Sequence, residues 1–114
     1  MTTAPDLFAV LGEPTRLRII MLLLERELCV CDLTDVLNLP QSTVSRHMAR
    51  LKSIDLVSSR RDLTWIHYRL KQSTLTTGLK TFLRSRSSNT EPYRSDRKTL
   101  TTLLREGRCA SARR

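Results

Sequence analysis

Long hydrophobic runs are missing from this sequence. The longest, residues 19–24, falls far short of the roughly 20 residues a membrane-spanning helix needs. The opening residues, Met1-Thr2-Thr3-Ala4-Pro5-Asp6, lack the basic start and apolar stretch of a secretory leader, so a cytoplasmic protein with no membrane partner is expected. Cysteine is scarce: three residues in 114, an odd number that argues against a disulfide framework in a reducing compartment. There, closely spaced cysteines more often bind metal or sense redox state. There is no glycine-rich phosphate loop, no paired-carboxylate cleft signature, no nucleophile motif and no Cys-x-x-Cys. An enzyme is therefore not expected, nor a required cofactor. Acidic residues are the minority, 11 against 20 Lys and Arg, for a net charge of +9. That balance suits a polyanionic partner, nucleic acid first.

What is present reads as one small domain. Residues 6–11 carry Leu7, Phe8, Val10 and Leu11, a short first helix stopped by Gly12. Pro14 suits the start of a second helix. Leu17, Ile20, Met21 and Leu24 recur there at helical spacing with Ile19, Leu22 and Leu23 between them, which predicts a central core helix. Asp32 reads as the N-cap of a third helix with Leu33, Val36 and Leu37 inside. Residues 38–41 break it, and Val44, Met48 and Leu51 mark the buried side of a fourth helix. Two short helices across such a break form a helix-turn-helix pattern. The period then changes: residues 56–61 and 64–70 read as two strands turning at Asp62-Leu63, with Ile66, Tyr68 and Leu70 inward and Trp65, His67 and Arg69 outward.

The fold class expected is mainly α with a small β-hairpin, a winged helix-turn-helix dimerising through N- and C-terminal helices. Residues 1–83 are assigned to the DNA-binding domain. Residues 84–114, with nine basic and three acidic residues, are assigned to a basic linker, helix and tail contributing to the dimer. Leu100, Leu103 and Leu104 form a stripe too small for its own core, so it needs a surface in the same domain or a second copy.

With Val44, Met48 and Leu51 inside, the outside of the fourth helix carries Ser42, Arg46, Ala49 and Ser53 flanked by Thr43, Ser45 and Arg50. Small hydroxyls and arginines with no carboxylate suit a major groove, where Arg binds guanine bidentately and Ser or Thr reaches base or phosphate. Gln41, Ser42, Thr43, Ser45 and Arg46 are expected nearest the bases. Arg50 is assigned to phosphate, His47 to a structural or phosphate-contacting role, and Arg60, Arg61 and Arg69 to the backbone or minor groove. An ordinary solvated helix is the bland alternative.

Cys29-Val30-Cys31 precedes Asp32 directly. Two residues apart in an extended segment puts both thiols on one face, and a helix N-terminus favours thiolates. Such thiolates suit a soft, thiophilic ion. Equally, two cysteines can simply fill core.

Four stretches together resemble one family. Glu27-Leu28-Cys29-Val30-Cys31-Asp32-Leu33 resembles the metalloid-binding signature of arsenic-responsive repressors in the ArsR/SmtB family. Gly12-Glu13-Pro14-Thr15-Arg16-Leu17-Arg18-Ile19 is similar to its segment ahead of the core helix. The run from Ser42 to Leu51 is similar to its recognition helix, and Trp65-Ile66-His67-Tyr68-Arg69-Leu70 to its second wing strand. The resemblance implies a homodimer on double-stranded operator DNA, released when As(III) or Sb(III), as arsenite or antimonite, binds Cys29 and Cys31 and distorts the start of the third helix. Many relatives carry a third cysteine where this chain has Thr34. The third sulfur is then absent, supplied by glutathione, or Cys109. The wing tip also lacks the family's usual glycine. The cadmium branch adds N-terminal cysteines and the zinc branch C-terminal histidines; residues 1–28 hold no Cys and residues 71–114 no His. Two other readings stay open: a thiol-redox repressor, and a nonspecific architectural nucleic-acid-binding protein.

Overall fold

A computed structural model describes residues 3–108. Thr3 caps α1 (Ala4–Leu11), its hydroxyl accepting from Asp6 N–H while the Asp6 carboxylate accepts from Thr3 N–H. The two bonds satisfy donors that a helix start leaves open. Glu13 caps α2 (Pro14–Leu23) with a single side-chain bond, accepting from Arg16 N–H at 2.8 Å. Pro14 has no N–H to lose in the first turn. Helix α2 is the axis of the core: Ile19, Ile20 and Leu22 are fully buried, with Met21 and Leu23 nearly so. A helix apolar on this many sides must be covered by several neighbours. It contacts α1, α4, β3 and α6.

The chain then makes a two-residue strand, β1 (Leu28–Cys29), followed directly by α3 (Val30–Leu37). Asn38 ends α3 in the left-handed conformation, φ 56°, and its N–H bonds back to Thr34 O. Asn tolerates this conformation better than most residues. Leu39 and Pro40 complete the turn into α4 (Gln41–Ser53), whose Val44, Met48 and Leu51 are fully buried. Helices α3 and α4 are therefore a helix-turn-helix pair, packed on each other, with α4 against α2.

β2 (Val57–Asp62) and β3 (Trp65–Leu70) form the wing. With β1 they make an antiparallel sheet of order β1-β3-β2, so the expected hairpin is a three-stranded sheet with β3 in the middle. Asp62 pairs with Trp65, placing the turn at Leu63-Thr64 rather than at Asp62-Leu63. Leu63 stands at φ 58°, the left-handed geometry that tight hairpin turns demand at their first position. The middle strand also corrects the expected facing of His67. It is 1% exposed, opposite Cys29 on one side and Arg60 on the other, and does not lie on the outer face of the wing.

Helix α5 (Thr74–Ser87) takes up residues 84–87 of the Ser/Arg-rich stretch 84–92 expected to be a linker or frayed turn, and residues 88–92 are turn and bend as expected. Neither residue type stops a helix, and the next proline comes only at Pro92. The division expected at residue 83 therefore falls inside α5. Helix α6 (Tyr93–Arg105) lays Leu100 and Leu103 against the same core, in contact with α2 and α3 of its own chain. Asp96, on the same inward face and 6% exposed, accepts two bonds of 2.8 Å from the Arg18 guanidinium of α2. No described helix is long and apolar enough to cross a membrane.

Candidate thiol site and nucleic-acid interface

The start of α3 is built differently from the sequence expectation. Its N-cap is Cys29, not Asp32. The Cys29 sulfur accepts from Cys31 N–H at 3.4 Å, and Asp32, at the third helical position, accepts from Cys29 N–H at 2.9 Å. Asp32 is fully buried, so this charge-assisted bond is of the stronger kind. Only Cys29 is extended; Cys31 lies in the first turn of α3. The turn of the helix nevertheless brings the sulfurs together, with Cys31 Sγ 2.7 Å from Cys29 Sγ and 3.9 Å from an Asp32 carboxylate oxygen. Cys29 is 1% exposed and Cys31 half-buried, so a ligand would arrive from the Cys31 side.

The electrostatics also depart from expectation. Burial pushes the Cys31 thiol up to about 12, helped by its bond to Cys29 and by the negative charge of Cys29 and Asp32. The helix N-terminus, expected to favour a thiolate, is outweighed by desolvation and a buried carboxylate. The hydroxyl of Thr34, three residues after Cys31, bonds Cys31 O at 2.7 Å. Cys109 lies outside the described residues. Among the described residues no third Cys, His, Asp or Glu joins the pair as a metal-holding cluster. What the residues show is two sulfurs converging on one point, a donor set that fits a thiophilic centre taking two protein ligands.

One turn further along the chain, α4 presents the second surface. Gln41, Ser42, Ser45, Arg46, Ala49 and Arg50 are exposed and Thr43 half-buried. The first turn holds no acid, and no side chain caps it. Thr43 N–H bonds Pro40 O; the N–H groups ahead of it have no side-chain cap, and a helix start of this kind favours an anion. His47 turns inward: its Nδ1 lies 3.2 Å from the Arg16 guanidinium and 3.8 Å from a Glu13 oxygen, so it ties α4 to the start of α2. On the wing, Arg61 and Arg69 are exposed. Arg60 is engaged, donating to both oxygens of Glu27 at 2.7 to 3.1 Å. Sequence reasoning did not single out Glu27, Asp32 as a third-position acceptor, or the burial of His67. The first two depend on a cap and a pairing that local periodicity does not encode.

A helix-turn-helix followed by a wing, with an acid-free outer face on its second helix, defines a winged-helix module. The family model described as "Bacterial regulatory protein, arsR family" matches residues 13–59. The Arsenic resistance transcriptional regulator ArsR1 of Pseudomonas putida is 44% identical over 69 residues, covering 60% of this chain and 54% of that protein. The Arsenical resistance operon repressor of Escherichia coli is 48% identical over 66 residues, 57% of this chain and 56% of that one. The match thus spans little more than half the length of these curated relatives. Among solved structures, reduced HlyU from Vibrio cholerae superposes with a TM-score of 0.66 at 33% identity, covering 72% of this chain and 85% of that one. The chain belongs to the ArsR family of bacterial regulatory proteins.

Proposed function

We propose that this chain is a transcriptional repressor that holds operator DNA as a homodimer and releases it when arsenite or antimonite is captured by Cys29 and Cys31. The observation that carries the reading is the double duty of Cys29: its sulfur converges with that of Cys31 and is also the cap of the first motif helix. Arsenous acid condenses with thiols without redox change. Each As–S bond that forms releases one hydroxyl, which leaves as water with the thiol proton. Two thiols give two waters and leave one hydroxyl on arsenic. Sulfur lone pairs committed to arsenic no longer serve Cys31 N–H, and the start of α3 must rearrange. Because α3 packs on α4, the reading helix shifts with it.

The naming of two relatives for arsenic resistance supports the inducer class. Binding to DNA rests on Gln41, Ser42, Thr43, Ser45, Arg46 and Arg50 of α4 and Arg61 of the wing, with His47 fixing the helix. The second copy is supported by exposed apolar side chains on two helices, Phe8 on α1 and Leu75 and Phe82 on α5. The stripe on α6 is already covered in its own chain.

The test is a DNA-binding titration with arsenite on the wild type, Cys29→Ser and Cys31→Ser, using a duplex selected by the wild type from a random pool. Arsenite is expected to weaken wild-type binding by roughly 5- to 150-fold, the range of a typical coupling. Both variants are expected to stay bound. Normal release by both variants would sink the assignment. Release only by peroxide, and not by arsenite under strong reductant, would favour redox control instead. Equal affinity for selected and scrambled duplexes would favour an architectural protein.

A further inference from the structure

Arg60 and Glu27 meet across 33 residues of sequence, Nε and Nη2 of the guanidinium serving both carboxylate oxygens. Glu27 stands two residues before Cys29. The sheet register continues the same line: Cys29 of β1 is opposite His67 of β3, and His67 is opposite Arg60 of β2. Residues opposite each other in an antiparallel pair share a face and touch. Thiol, imidazole and guanidinium therefore form one row across the sheet, its first two members 1% exposed. The wing is joined to the thiol-bearing strand twice, by the β1–β3 ladder and by the ion pair. An ion pair this exposed adds little to stability, but it fixes where the outer wing strand lies relative to Cys29.

We infer that Glu27 is a positioning residue of the sensor: by holding Arg60 it ties the pose of the wing to Cys29, so that ligand capture by the thiols moves β2 as well as the start of α3. This rests on the reading above, in which thiol capture releases DNA. Coupling of this sort is a free energy shared by two sites, and it is shown only by measuring it. The row supplies a contiguous path that both the thiols and the DNA-facing wing can bias.

The experiment uses the full chain, sodium arsenite and the pool-selected duplex. DNA affinity is measured with and without saturating arsenite, and arsenite affinity is measured without DNA by loss of titratable thiol. For Glu27→Gln, arsenite affinity without DNA is expected to match the wild type. The factor by which arsenite weakens its DNA binding is expected to fall about two- to fivefold, the scale of an exposed ion pair. The swapped variant Glu27→Arg with Arg60→Glu is expected to regain much of that factor, which a loss of folding would not allow. An unchanged factor in Glu27→Gln overturns the inference, as does a swapped variant no better than the single one. So does an unchanged factor with a steeper salt dependence, which would mean that Glu27 only withholds Arg60 from phosphate. A wild type unmoved by arsenite would sink the repressor reading itself, whereas a responsive wild type with an equally responsive Glu27→Gln sinks only the clasp.

Discussion

The two helices of the reading motif begin in opposite ways. Helix α3 starts with a reciprocal cap from within, the Cys29 sulfur accepting from Cys31 N–H and the buried Asp32 carboxylate accepting from the N–H of Cys29 itself. Helix α4 starts from Pro40 with no side-chain cap and an exposed, acid-free first turn. A helix start completed by its own chain is shut to water, and only a competitor for its capping atoms can open it. A helix start left incomplete on the surface asks for an outside anion. Under the proposed function, sensing and DNA contact would both draw on helix-start N–H groups, capped by side chains of the chain itself in α3 and without a side-chain cap in α4.

The comparison can be broken most severely from beneath. Met48→Ala removes a fully buried side chain under α4 and is expected to cost about 2–5 kcal/mol, visible as a lower urea midpoint at unchanged slope. Asp32→Ala is expected to cost about 1–3 kcal/mol in the same measurement, because it leaves the buried Cys29 N–H without its acceptor. Arg46→Ala separates the two starts. It is expected to weaken binding to the selected duplex by about 1–3 kcal/mol while moving stability by no more than about 0.5 kcal/mol. If Arg46→Ala destabilised the fold as much as Asp32→Ala does, the claim that α4 is open and α3 closed would fail. The last effect is on pH. The Cys31 thiol is held up at about 12, so between its ordinary value and 12 the folded chain binds more protons than the unfolded one. Stability must then fall as pH rises above about 9, and Cys31→Ser should flatten that part of the curve. A wild-type profile no steeper than the variant's would show that the thiol is not buried against a carboxylate.

Local patterning carried most of the fold. Val44, Met48 and Leu51 announced the inner face of α4 by spacing alone, and all three are fully buried. The change from helical to alternating period placed both wing strands within a residue or two. Three features escaped for physical reasons. A sulfur is an uncommon helix cap, so Asp32 drew the assignment that belongs to Cys29. The turn moved by one residue because Leu63 adopts a left-handed φ, which no side-chain pattern signals. Alternation along β3 sent His67 outward with Trp65 and Arg69; those two are exposed, and His67 alone of the three is buried, where β3 runs beside Cys29 of β1. At the site, the proximity of the two sulfurs was legible from spacing, though by another route: an extended segment was expected, and a helical turn brings them together. The Glu27–Arg60 pair was not legible, since nothing local links residues so far apart.

The fastening of α6 to α2 has a practical side. Trimming the chain after residue 83, where composition invites a cut, would sever α5 in mid-helix and strip the cover that Leu100 and Leu103 give the core. It would also leave Arg18 with its fork facing a hole where the Asp96 carboxylate had been. A shortened reading head made this way would be sticky and soft, and the last quarter of the molecule is better regarded as part of its foundation than as a detachable handle.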